Sequence, residues 1–375
     1  GPADVTNSQA IITSYSPYRP FTSIQESGLY IKELENSELT YEKKHELNIG
    51  ADMGFLNNRI NLAVDWFKRN NYDLIGIVNT QGAGGQILKY ANIASMKSHG
   101  IEFTLSTKNI KTKDFNWNTD FIFSNAKNEV TDLKQNANVM ELISGNGFAK
   151  QGYPVRGLFS IPFVGLDKDG IPVIINEKGE ATSTDINFQE RQNTGFLKYE
   201  GPTDPTITGS LGNMFSYKGF RLNLFITYSF GNVIRLNPVF KAYYSDLTAM
   251  TREFKNRWTL PGDEAKTNVP AILSKRMYDS NEDLKYAYNA YNYSTERIAK
   301  GDFIRLKEIS LAYDFPKAWI NPLKLTDLSL KVQATNLFLI YADDKLNGQD
   351  PEFFNAGGVA SPVPRQFTIT LRLGL

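Results

Sequence analysis

Long stretches of strict two-residue alternation restrict this chain more than any other feature. The run 47–55 sets Leu47, Ile49, Ala51, Met53 and Phe55 on one face and Asn48, Gly50, Asp52 and Gly54 on the other. After Asn57-Asn58, Ile60, Leu62, Val64 and Trp66 oppose Asn61, Ala63, Asp65 and Phe67, which reads as a hairpin. The same period returns at 101–106, 115–123, 207–217, 220–230, 303–315, 328–338 and 367–375, giving nine strands. Several of these runs reach 9 to 13 residues. Globular strands have a mode of about 5–6 residues, whereas a tilted strand crossing a bilayer needs about 9–11. The expected fold is all-β, a transmembrane antiparallel barrel.

The connections sort by length. Those at 57–58, 107–114, 218–219 and 316–327 are short, and those at 73–96, 129–205, 231–302 and 339–364 are long. Membrane barrels have short periplasmic turns and long extracellular loops, so 47–55, 101–106, 207–217, 303–315 and 367–375 are expected to run toward the periplasm, where the C-terminus would end. The gap 129–205 admits no crossing or two. Residues 153–166 and 171–175, joined by Asp167-Lys168-Asp169-Gly170, are either a pair of crossings or an extracellular hairpin, for eleven strands or nine. Aromatic residues gather near the short turns (Phe55, Phe115, Trp117, Tyr217, Phe220, Tyr313, Phe315, Trp319) and again toward the other end (Trp66, Tyr72, Tyr228, Phe230, Phe338, Tyr341). Two such belts suit two headgroup levels. Arg305 and Lys307 share the apolar parity of their strand and are expected to snorkel at the outer rim.

Other functions lack residues. With 41 Lys+Arg against 40 Asp+Glu the formal charge is +1, too little to hold nucleic acid. There is no Cys and only His45 and His99, neither with a paired carboxylate nearby in sequence, so the chain is not expected to be an enzyme, to bind a metal or to carry a cofactor. No run approaches 18 apolar residues, and the mean hydropathy is −0.36, which excludes helical membrane spans but not strands. The chain opens Gly-Pro-Ala-Asp with no initiator Met, as expected of a mature fragment.

Specific residues resemble the C-terminal barrel half of the SusC/RagA-like TonB-dependent outer-membrane transporters of Bacteroidetes. They are Asn36-Ser-Glu-Leu-Thr-Tyr-Glu42, Glu46-Leu-Asn-Ile-Gly50, Asn58-Arg59-Ile60 and Asp65-Trp66-Phe67. Tyr41 stands where the family usually has Trp. Further matches are Pro205 to Gly209, Ser216 to Phe220, Arg257-Trp258, Gly301 to Tyr313, Thr335-Asn-Leu337, Asp350-Pro-Glu352 and Pro362-Val-Pro-Arg365. The resemblance implies that residues 1–375 are the C-terminal part of a barrel of 22 strands with a plugged lumen. The plug is absent from this chain, so the remaining barrel and plug portion would be partners. It also implies TonB contact through the missing N-terminal part, a SusD-like surface lipoprotein lid, and outer-membrane lipid as surroundings. A dimer of the two-protein complex is among the assemblies it allows. The chain ends on Leu375, whereas outer-membrane barrels often end on Phe.

The expected function is therefore TonB-dependent import of oligomeric nutrients, oligosaccharide or oligopeptide. The alternative is a secreted β-rich glycan-binding or adhesin module. The loop 231–301 carries Tyr243, Tyr244, Tyr278, Tyr286, Tyr288, Tyr291 and Tyr293, flat rings with a hydroxyl that suit sugars or peptides, or that pack the loop on itself. Tyr243, Tyr244, Arg257, Trp258 and Arg365 are the candidate substrate-binding residues. Asp167-x-Asp169-Gly170 and Asp343-Asp344 with Asn347-Gly348 and Asp350 offer oxygens to Ca²⁺, but lack a ligand set closed by a bidentate Glu and read as turns. Asp65, Arg69, Glu102, Asp120, Arg221, Lys331 and Arg372 lie on the lumen parity and are expected to be a solvated wall or plug contacts.

Overall fold

Alternation becomes register in the computed structural model, which describes residues 11–15, 28–33, 36, 38–79, 88–244, 251–281, 283–354 and 363–375. Nine strands form one antiparallel sheet: β1 (Lys43–Phe55), β2 (Ile60–Asn79), β3 (Leu88–Lys111), β4 (Phe115–Leu133), β5 (Ile207–Tyr217), β6 (Phe220–Phe230), β7 (Phe303–Asp314), β8 (Asp327–Ala342) and β9 (Gln366–Gly374). Each pairs with its neighbours in chain order, so the sheet is a plain meander from β1 to β9. The nine expected strands are the nine found. Residues 153–175 add no crossing, because Phe163–Leu166 and Pro172–Ile175 pair as a hairpin in a separate three-stranded sheet.

Pairing keeps the apolar face continuous. Met53 lies opposite Leu62, Leu62 opposite Leu105, and Leu105 opposite Phe121. Phe121 then meets Leu211, and Leu211 meets Ile226. At the other edge Leu311, Val332 and Ile369 share one row. Among the described residues no second sheet covers this face: Ile49, Phe55, Leu311, Val332, Phe367 and Ile369 are all exposed. Such a face is stable only against hydrocarbon. Its polar groups are satisfied from within the sheet, as a dry medium demands. Trp117 Nε1 and Thr119 Oγ1 both donate to Asn213 Oδ1, at 2.9 and 2.8 Å. The Tyr228 hydroxyl donates to the Ile122 carbonyl at 2.8 Å by lying across Gly209, where any Cβ would collide with that hydroxyl. The aromatic belt at the short turns is continuous, with Phe220 and Tyr313 rings 4.3 Å apart, Tyr313 and Phe315 4.9 Å, and Phe315 and Trp319 6.4 Å.

Two expectations need correction. Arg305 does not share the apolar parity: between β6 and β7, Phe225 faces Glu308 but Ile226 faces Leu306, so Lys307 is an extra residue and the strand changes phase there. Leu306 takes the apolar row, and Arg305, opposite Thr227, turns to the other side and is buried. The long connection expected over 73–96 is mostly strand, since β2 continues to Asn79 and β3 starts at Leu88.

Buried cores lie in the loops. One contains Val139, Leu142, Ile143, Phe159, Ile161 and Ile174; a second contains Phe240, Leu273, Leu284, Ala287, Tyr288 and Tyr291; a third joins Ile234, Leu236, Ala299, Leu346 and Phe354. All three are built almost wholly from residues of the long connections, which we call the cap. A capping box starts its first helix, Val139–Ile143: Asn138 Oδ1 accepts the Glu141 amide at 2.7 Å and Glu141 Oε2 accepts the Asn138 amide at 2.8 Å.

Candidate functional site

The cap is held by three buried arginines, of which Arg235 and Arg297 were not singled out by sequence patterning. Arg235 donates to the carbonyls of Phe159 (2.6 Å) and Ser294 (2.8 Å) and to Ser160 Oγ (3.0 Å), tying the 129–205 connection to the 231–302 connection. Burial pulls its guanidinium below the ordinary value, opposed by the charge of Glu200; a guanidinium starts high enough to stay charged. Arg297 meets the Glu253 carboxylate and lies 4.8 Å from the Phe240 ring centre. Arg305 places one nitrogen 2.5 and 2.6 Å from the two Asp350 oxygens and 3.2 Å from Glu352. Each joins segments far apart in sequence by charge-assisted bonds away from water, where losing one partner is costly. Arg305 and the Asp350-Pro-Glu352 motif were legible separately, but only the bulge at Lys307 brings them together.

The tyrosines of 231–301 divide between two roles. Tyr288 and Tyr291 are 1 % and 2 % exposed. The Tyr288 hydroxyl donates to the Ala271 carbonyl at 2.6 Å, and burial pushes both phenols above their usual range. Tyr243 is exposed and stacks on Tyr278, centres 6.2 Å apart. The pair opens on a cavity of about 490 Å³ that also touches Phe240, Lys241, Lys285 and Asn289. The cavity floor is fixed by Asn292, which exchanges two hydrogen bonds with the Phe240 backbone (3.1 and 2.7 Å). An aromatic platform beside amide and ammonium donors can hold a sugar ring or a peptide backbone.

The other candidate residues do not converge there. The Tyr244 hydroxyl accepts the Lys241 amide at 2.7 Å and its ring meets Phe254 edge-on, so it braces the wall behind Tyr243. Arg257 bonds the Phe254 carbonyl at 3.3 Å. Trp258 donates to Glu264 at 2.9 Å and lies against Gly170, whose φ of +75° and lack of Cβ let the ring approach. Arg365 is exposed just before β9.

The acidic turns spend their oxygens on backbone. Asp167 Oδ1 accepts the amides of Asp169 and Ile171, both at 2.9 Å, and Asp343 accepts those of Lys345 (2.9 Å) and Lys300 (2.7 Å). His45 meets Tyr72 edge-on at 5.5 Å. On the polar face of the sheet, Arg221 pairs with Asp314 (2.8 Å), Ser106 donates to Asp120 (2.6 Å) and Arg69 pairs with Glu46 (2.7 Å).

The family-like motif near the start also has a structural role. Asn36 Nδ2 donates to the Tyr90 carbonyl (2.5 Å), the Thr40 amide to Asn92 Oδ1 (2.8 Å), and the Ile75 amide to Glu42 Oε1 (2.9 Å). The segment 36–42 is thereby laced onto the β2–β3 extension.

Against known proteins, no family model matches the chain. A TonB-dependent receptor of Formosa agariphila is 25% identical over 368 residues, which is 91% of this chain and 34% of the receptor. The TonB-dependent receptor SusC of Bacteroides thetaiotaomicron is 26% identical over 364 residues, 91% of this chain and 32% of that protein. Among solved structures, the RagAB peptide transporter superposes with a TM-score of 0.73 at 24% identity, covering 98% of this chain and 38% of that one. The RagAB peptide importer in its open-open state gives 0.74. The chain thus spans about a third of the length of the curated relatives it matches. The resemblance carried by the sequence motifs is found in both comparisons, and the nine strands have the fold of part of the wall of a transmembrane β-barrel, matching that of a TonB-dependent transporter. The relatives are named as receptors and transporters, not enzymes.

Proposed function

We propose, from this likeness to SusC-type TonB-dependent receptors, that the chain supplies the C-terminal part of the barrel of an energised outer-membrane importer. The nutrient is oligomeric, an oligosaccharide or oligopeptide, captured where the cap meets the wet face of the wall beneath a SusD-like surface lipoprotein. TonB acts through a plug-bearing portion outside these residues. The long connections lie outside the cell and the C-terminus of β9 on the periplasmic side. Tyr243 supplies a contact surface at the cavity, and Arg365 one at the outer rim; Tyr244 braces the wall behind Tyr243, and Arg257 and Trp258 lie apart from that cavity.

The observation that carries this reading is the uncovered apolar face, continuous by register over nine strands and joined to a cap with water-type cores of its own. A secreted glycan-binding module would have to cover that face with protein, and no described residue does so. The name of the RagAB peptide transporter supports an oligopeptide as cargo. The test is purification of the full-length protein from detergent-extracted outer membranes, with mass spectrometry of what it retains. A co-purifying lipoprotein and a bound oligomer are expected; recovery as a detergent-free soluble monomer would refute the proposal.

A further inference from the structure

Just past the apolar band, the lipid-facing side of β1–β4 changes character. The row Ile49, Trp66 and Ile101, closed on β4 by Asn125, ends the apolar band. One residue pair beyond it, about 7 Å along the strands, the same face carries Leu47, Lys68, His99 and Lys127 in direct register. One pair further on are His45, Asn70, Lys97 and Glu129, and beyond them Lys43 faces Tyr72. Two of the four lysines are neutralised, Lys43 by Asp73 at 2.7 Å and Lys97 by Glu129 at 2.9 Å. Lys68 and Lys127 are exposed and have no carboxylate within 4.0 Å among the described residues. With neighbouring strands about 4.8 Å apart, the two stand about 10 Å from each other, flanked by Trp66 below and Tyr72 above. On β5 and β6 the same face ends at Ile207 and Phe230, level with Trp66, so the cationic row is confined to β1–β4.

We infer that this face of β1–β4 binds the phosphate-bearing headgroup of an anionic glycolipid in the outer leaflet, Lys68 and Lys127 taking the phosphates and His99 lying between them. The charge complements the ligand, and the height is that of headgroups: the acyl chains run down the Val64–Phe103 row while the sugar rests on the Trp66 ring. The site rests on the proposed orientation of the barrel, since it belongs to the outer leaflet only if the long connections are extracellular.

The experiment uses the full-length protein, delipidated in mild detergent and titrated by native mass spectrometry with diphosphoryl lipid A, its dephosphorylated form or phosphatidylglycerol. Diphosphoryl lipid A is expected to be retained, and K68Q/K127Q to weaken it about thirtyfold, while K68R/K127R restores binding and shows that charge is what matters. Equal retention of the dephosphorylated form, or no change in K68Q/K127Q, would overturn the site. Preference for phosphatidylglycerol would overturn it as well, by placing this end in the inner leaflet. A protein that leaves the membrane without detergent would instead defeat the importer reading, a result the titration does not produce.

Discussion

Leu371 in the wall is 59 % exposed and Leu142 in the cap is 1 % exposed, although both sit at periodic apolar positions of regular elements. The wall turns its apolar side chains outward and is held together by ladder hydrogen bonds across nine strands. The cap turns them inward and adds buried arginine bridges. One chain is thus written for two solvents: where the outside is hydrocarbon the backbone must be satisfied within the sheet, and where it is water the apolar groups must be hidden. The same substitution should therefore have opposite consequences in the two regions.

The largest expected effect tests the junction between them. Asp350→Ala removes the buried carboxylate of Arg305 and leaves it only the more exposed Glu352 as a partner, an expected cost of about 3 kcal/mol to the packing of the 343–354 segment. Limited proteolysis should show that segment cut much faster while the barrel keeps its resistance; unchanged protection would mean that the pair does not hold the cap. Next, Val64→Lys on the lipid face should destabilise insertion by about 2–4 kcal/mol near mid-membrane. Ala63→Lys, one residue along on the wet face, should cost little. Urea titration of the protein refolded into vesicles separates the two, and equal costs would remove the distinction between the faces.

A smaller effect concerns pH. The Leu260 amide, followed by the hydroxyl and amide of Thr259, holds the Asp263 carboxyl down at about 2, below its ordinary 3.8. A lowered value means that the folded turn favours the ionised form. Its contribution is complete above 3.8 and is lost as pH falls toward about 2. Amide exchange at Thr259 and Leu260 should stay slow at pH 5 and rise between pH 3.8 and 2, and Asp263→Asn should flatten that rise. Exchange that is already fast at pH 5 would show that the turn is not held by this carboxylate.

The wall was legible because a strand with lipid on one side and water on the other must alternate, as Phe220 to Phe230 does except at Phe225. Legibility failed where that contrast ends. Above the membrane both faces of β2 and β3 meet water or protein, so residues such as Asn70, Asn71 and Tyr72 carry no period and the strand extensions passed as loop. The bulge at Lys307 was hidden because an inserted residue leaves composition unchanged while reversing the phase, which put Arg305 on the wrong face. In the cap, the Tyr-rich stretch was visible as a surface, but nothing in its spacing told the buried Tyr288 from the exposed Tyr243. Arg235 and Arg297 gave no signal because an arginine is usually a surface residue.

The central claim is that one face of this sheet touches acyl chains while the other is wet. The chain has no Cys, so single cysteines can be placed in turn along β6 from Arg221 to Ser229 in the membrane-embedded protein. Labelling by a water-soluble maleimide is expected at 221, 223, 225 and 227, with 222, 224 and 226 unlabelled but quenched by a probe dissolved in the lipid. Uniform labelling along the strand, or shielding of 222, 224 and 226 from water and lipid alike, would contradict the account.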